Sequence, residues 1–176
     1  NYPYDDLPNR QTRTGYSRSP DDDVFKQVAH VYSNAHRTMH NGSPCPELEP
    51  EENFDDGITN GAEWYSVSGG MQDWNYLHSN CFEITLELGC VKYPKHRLLP
   101  KFWNDNKLAL IAFIKESHKG ITGFIRDSQL HPIEGATVHV GGINHNVVSA
   151  KSGDYWRLLV PGDYDVTIHK DGYVDQ

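Results

Sequence analysis

Residues 81–90 read CFEITLELGC, and their alternation decides the architecture expected of the first two thirds of the chain. Ile84, Leu86 and Leu88 fall on one side; Glu83, Thr85 and Glu87 fall on the other. That is the period-2 signature of a strand packed on one face, so a strand is predicted over 82–89. Glutamate is depleted from strands, and its presence here raises a chemical question. Glu83 and Glu87 cannot act as a pair: four residues of strand separate them by about 13 Å. Glycosidase carboxylates lie about 5.5 Å apart in retaining enzymes and at most about 9.5 Å in inverting ones. A single carboxylate remains, either solvated or acting as a general base beside an activated water.

Working outward, SPDDDVF at 19–25 signals a helix start, with Ser19 as N-cap, Pro20 in the first turn and three aspartates facing the helix dipole. Val24, Phe25, Val28, Tyr32 and Ala35 form one stripe of a helix predicted to end near Met39. Residues 1–20 before it read as loop. Residues 41–60 lose all periodicity, and a loop of that length is often functional. The aromatic stretch 61–80, GAEWYSVSGGMQDWNYLHSN, continues it and is expected to pack or bind. Beyond the strand, a second helix is predicted from about Trp103 to His118. Leu108, Ile111, Ala112 and Ile114 or Lys115 would face inward, and Gly120 would stop it. From there the pattern changes to short alternating runs broken by turn residues about every ten positions. Strands are read near 121–126, 136–141, 145–150, 154–159 and 163–169, a small all-β sandwich cut short at its last strand. The predicted organisation is thus two domains, 1–119 and 120–176.

A hydrophobic content of 37 % and an aromatic content of 11 % suffice for a core and exclude global disorder. A formal charge of −8 argues against nucleic acid or an acidic membrane surface as partner, and would suit cationic peptides. No apolar run reaches the roughly 18 residues of a transmembrane helix. The opening NYPYDDLPNR has neither a start methionine nor a signal-like pattern, so a fragment or a processed chain is expected.

Cys81 and Cys90, about 30 Å apart along a strand, cannot pair. If a bridge forms, Cys45 is one partner; Cys45–Cys90 is expected, with Cys81 buried and free. Asn41-Gly42-Ser43 fits an N-glycosylation acceptor, although the following Pro44 is unfavourable. Together these point to an oxidising, secretory compartment. His36 and His40 share a helical spacing, yet no H-E-x-x-H or paired C-x-x-C accompanies them, and a surface helix end is the expectation. His145 reads as a hairpin residue. No G-x-S-x-G elbow exists and Cys81 lacks a histidine partner, which sets serine and cysteine hydrolases aside.

NGAEWYSVSGGMQDWNYLHSNCFEITLELGCVKYP at 60–94 resembles the C-terminal half of the catalytic domain of zinc metallocarboxypeptidases of the N/E (regulatory) subfamily. NYPYDD, the SPDD helix start and GITNGAEWY match as well. GITGFIRD, PIEGATVHVGGINH and GDYWRLLVPGDYDVTIHKDGY resemble the transthyretin-like β-module that follows that domain. The implied fold is α/β: the C-terminal half of a mixed-sheet metallocarboxypeptidase domain, then the small β-sandwich. The implied activity is removal of single C-terminal Arg or Lys residues from peptides and proteins.

By the same resemblance Glu87 matches the general base on a zinc-bound water, and Tyr65 the mobile tyrosine that closes over substrate. Asp5 and Gln72 match positions lining the pocket for the basic side chain; Glu83 matches no role. The family's zinc ligands and its carboxylate-clamping arginines precede NYPYDD, so zinc is expected to be held by residues upstream of Asn1, in the missing N-terminal half. Localisation in the Golgi, at the cell surface or outside the cell is implied. The alternative is a non-catalytic binding or folding module, inactive without those ligands. A histidine just upstream of Asn1 would favour the enzyme, and a natural start at Asn1 the module.

Overall fold

The computed structural model describes residues 1–8 and 13–176; the loop expected over 1–20 lies partly outside them, at 9–12. Helix α1 spans Asp22–Ala35, with Asp21 as its N-cap. It starts later than the sequence suggests because Ser19 is buried and offers its carbonyl, which accepts the Asp22 N–H at 3.2 Å. The aspartates do not simply face solvent before a helix dipole. Asp22 is buried, taking Lys26 Nζ at 2.9 Å and the Tyr16 hydroxyl at 2.6 Å. The helix stops at Ala35, not Met39. His36 turns extended, and its Nδ1 accepts the backbone N–H groups of Thr38 and Met39 at 3.2 and 3.0 Å. His40 falls in the 3₁₀ turn Met39–Asn41, so the two histidines share no helix face.

The apolar stripe of α1 buries Val24, Phe25, Val28 and Ala29 in one core with Tyr2, Tyr76 and Phe82. Each large aliphatic side chain sequestered there contributes about 1.5–3 kcal/mol. Two short helices follow, α2 (Gly61–Trp64) and α3 (Met71–His78). Helix α4 covers Leu99–Lys115, beginning four residues before Trp103 with Pro100 in its first turn. Its inner face is not the expected one: Leu108, Ile111 and Ile114 are exposed, while Asp105, Asn106 and Ala109 are buried. The polar positions face α1 and the turn after it because these offer them partners. Tyr32 donates its hydroxyl to Asn106 Oδ1, and Arg37 N–H reaches the Asp105 carbonyl at 3.4 Å. Ala109 between them is small enough for close helix approach.

CFEITLELGC forms no strand ladder among the described residues. Its backbone pairs with Asn1, where Thr85 N–H donates to Asn1 O at 2.9 Å and the Asn1 nitrogen to Thr85 O at 2.7 Å. Alternation specifies the faces of a strand and not its partners. The faces themselves hold in part: Ile84 packs against the core, whereas Leu88 is exposed.

The last third is antiparallel β. Strand β1 (Ile121–Phe124) pairs with β4 (Asp154–Arg157), and β2 (Thr137–Val140) lies between β3 (Val147–Val148) and β5 (Val166–His169). All five expected strands occur, each shorter than its alternating run. Val138 and Val140 point inward and His139 outward, with Ile125, Ile133, Ala136 and Val147 completing a second core. Gly120, at φ +83°, marks a close approach: a Cβ there would lie 2.2 Å from the Arg157 carbonyl.

The two cores meet across a polar joint. Arg157, with no exposed side-chain surface, donates from Nη2 to Asp21 Oδ1 at 2.7 Å, and Asp21 also accepts the Tyr76 hydroxyl at 2.8 Å. His145, in the β2–β3 loop, stacks on Tyr76 at 4.1 Å, so this hairpin residue belongs to the joint. Burial among these groups lowers its imidazole pKa.

Candidate active site

Glu87 is exposed and lines a cavity of about 400 Å³ between CFEITLELGC and the 41–60 loop. Glu49, Glu52 and Trp64 line it too. The loop is held rather than free: Trp64 donates to Glu52 Oε1 at 2.9 Å and packs edge-on against Phe54 at 5.4 Å. Burial first, then the neighbouring Glu49, push the Glu52 carboxyl above its ordinary range. Cys45 and Cys90 are joined by a disulfide with Cα atoms 5.7 Å apart, tying this loop to the end of the Glu87 segment. Closing 45 residues of sequence separation removes about 4 kcal/mol of unfolded-chain entropy. Cys81 is free but exposed, not buried, because its neighbour Phe82 takes the inward position.

On the polar side of the same segment, Thr85 Oγ1 donates to Gln72 Oε1 at 2.9 Å, and Gln72 Nε2 donates to Asp5 Oδ1 at 2.5 Å. Asp5 and Gln72 are both buried. Two glycines make room for the aspartate: a Cβ on Gly61 would stand 1.6 Å from Asp5 Oδ1, and one on Gly70 3.2 Å from Oδ2. Desolvation, and next the Asp73 carboxylate, push the Asp5 carboxyl up to about 6. Asp5 thus connects through Gln72 to Thr85, two residues before Glu87, although neither Asp5 nor Gln72 lines the Glu87 cavity. Glu83 faces α3 and accepts from Asn75 Nδ2, a structural contact for the acid that had no role.

Tyr65 caps the C-terminus of α2, its N–H on the Gly61 carbonyl at 3.0 Å. Its ring is 48 % exposed and meets Trp64 edge-on at 4.7 Å, beside the cavity that Trp64 lines. Asn41 is exposed at the cavity rim. Sequence reasoning missed Asp73 and Thr85, whose only signal was proximity to the glycine pair and to Glu87.

Two candidate acids therefore differ in setting, Glu87 being exposed on the cavity wall and Asp5 buried. Residues 1–109 match the zinc carboxypeptidase family, and residues 120–176 the carboxypeptidase regulatory-like domain. Carboxypeptidase D of Anas platyrhynchos is 56 % identical over 174 residues, covering 98 % of this chain and 12 % of that protein. The Homo sapiens carboxypeptidase D is 53 % identical with the same coverage. The carboxypeptidase N catalytic chain of Rattus norvegicus is 51 % identical over 177 residues, covering 98 % of this chain and 38 % of that protein. The chain belongs to the zinc carboxypeptidase family, of the type represented by D and N. It spans about an eighth to two fifths of the length of these relatives.

The family implies zinc, but the donors here do not fit it. Among the described residues no group of three His, Cys, Asp or Glu side chains could hold a metal ion. Among the described residues His36 is the one histidine lining the cavity, and its Nδ1 is occupied by backbone N–H groups. No helix among the described residues is long and apolar enough to cross a membrane.

Proposed function

We propose that these residues are part of a carboxypeptidase that releases single C-terminal Arg or Lys residues from peptides and proteins. The observation that carries this reading is the buried Asp5 carboxylate, held between Gly61, Gly70 and Gln72 and linked through Gln72 to Thr85 of the Glu87 segment. A buried carboxylate of this kind favours a guanidinium or ammonium through charge-assisted hydrogen bonds, and a neutral side chain leaves it unpaired. Gln72, its oxygen accepting from Thr85 Oγ1 and its Nε2 donating to Asp5, lines the same pocket. Glu87 is the general base that takes a proton from the attacking water and returns it to the leaving amine. Tyr65, exposed at a helix end, closes over the bound peptide. The zinc that the family implies would be held by residues other than the described ones.

Residues 1–119 would be the C-terminal half of the catalytic domain and 120–176 the transthyretin-like domain. The Cys45–Cys90 bridge and the exposed Asn41 acceptor support a secretory-pathway location, where such bridges persist. The test is Glu87→Gln in the intact protein, assayed on a peptide ending in Arg. General-base catalysis supplies about 10²–10⁴-fold, so a variant keeping more than about a tenth of the activity refutes the assignment.

A further inference from the structure

We infer that Asp73 is a positioning residue for selectivity, aiming the Asp5 carboxylate at the basic side chain. This rests on the reading of Asp5 given above. Asp73 lies in the first turn of α3 after Gly70, which has no side chain to cap the helix. An acid there is expected to serve its own helix dipole. Instead its carboxylate leaves the helix and takes the backbone of a segment 68 residues away. Asp5 N–H donates to both Asp73 oxygens, at 3.0 and 2.9 Å, and Asp6 N–H donates to Oδ2 at 3.1 Å.

The Asp5 carbonyl is fixed as well, accepting Val67 N–H at 2.9 Å. Both ends of the Asp5 peptide are therefore held, and its side chain can only project between Gly61 and Gly70 towards Gln72. Asp73 is itself buried, and burial raises its carboxyl, while the two backbone N–H groups pull it back down. Placing a second carboxylate behind the first costs electrostatic energy. A neutral acceptor would anchor the loop without that cost. The cost makes sense where a cation is to be bound, since a diad of acids deepens the negative potential that the cation meets.

The test uses the intact enzyme and matched peptides ending in Arg, Lys and a neutral residue, with kcat and KM measured from pH 5 to 8. Asp5→Asn is the reference and should abolish most of the preference for basic ends. Asp73→Ala is expected to lower the Arg-over-neutral ratio of kcat/KM at least about tenfold, mainly through KM, the scale of one charge-assisted hydrogen bond. Asp73→Asn keeps one acceptor and removes the charge. It should lose less, and the pH below which KM for Arg rises should move down, because the like charge beside Asp5 is gone. Gln72 and the Asn1 nitrogen, which both act on Asp5, stay in place in that variant.

Equal losses on all three peptides, or failure of both variants to fold, would assign Asp73 to general stability and overturn the inference. So would an unchanged ratio in Asp73→Ala. If Asp5→Asn itself keeps the preference, the reading of Asp5 falls first, and the role of Asp73 with it.

Discussion

The joint between the two cores offers a stringent perturbation, Arg157→Met. Arg157 and Asp21 have no exposed side-chain surface, so neither can recover water when its partner is removed. Removing one member of such a pair typically costs about 3–5 kcal/mol, because it strands the other charge. Asp21 would keep only the Tyr76 hydroxyl. At about 2–4 °C per kcal/mol for a protein of this size, the melting temperature should fall by about 6–20 °C.

Desolvation has a second consequence, which discriminates. Replacing both charges, as in Asp21→Leu with Arg157→Met, should be less damaging than either single change, since no buried charge remains. The double variant leaves the Tyr76 hydroxyl without its acceptor, a residual cost of about 1–3 kcal/mol. Urea unfolding of the intact protein measures all three variants. Limited trypsinolysis after the exposed Lys119, at the junction, reports whether the β-module undocks. Single variants that cost less than about 1 kcal/mol, or a double variant whose loss is the sum of the singles, would refute the reasoning.

Two further outcomes follow from the Asp5 locus. Its carboxyl, pushed up to about 6 by burial and Asp73, lies above the unfolded value near 3.9. The folded state therefore holds that proton more tightly, and this group's stabilising contribution is full below about pH 4 and lost as pH rises through about 6. Recognition runs the other way: KM for Arg-ended peptides should rise as pH falls below about 6, while KM for neutral-ended peptides should not follow. Gly61→Ala would put a methyl 1.6 Å from Asp5 Oδ1 and force the carboxylate aside. It is expected to raise KM for Arg-ended peptides about tenfold or more, the worth of a charge-assisted hydrogen bond, in steady-state assays. An unchanged KM would show that the carboxylate points elsewhere.

What could be read from the sequence was local. The stripe Val24–Phe25–Val28–Tyr32, the five alternating runs after Gly120 and the turn glycines follow from periodicity and steric rules that need no partner. The candidate site residues Glu87, Asp5 and Gln72 could be named because they sit in blocks whose resemblance is linear in sequence. Tertiary structure decided which side chain answers which. Nothing local says that α4 turns Asp105 and Asn106 inward and leaves Leu108, Ile111 and Ile114 outside; the Tyr32 hydroxyl on α1 does. The same holds for His36, whose ring ends a helix that its sequence would continue. Asp21 was legible only as a helix-start acid, and Asp73 not at all, because the groups they hold lie 136 and 68 residues away. Periodicity fixes the faces of an element, but a buried charge takes its meaning from a partner that only folding brings within hydrogen-bond distance.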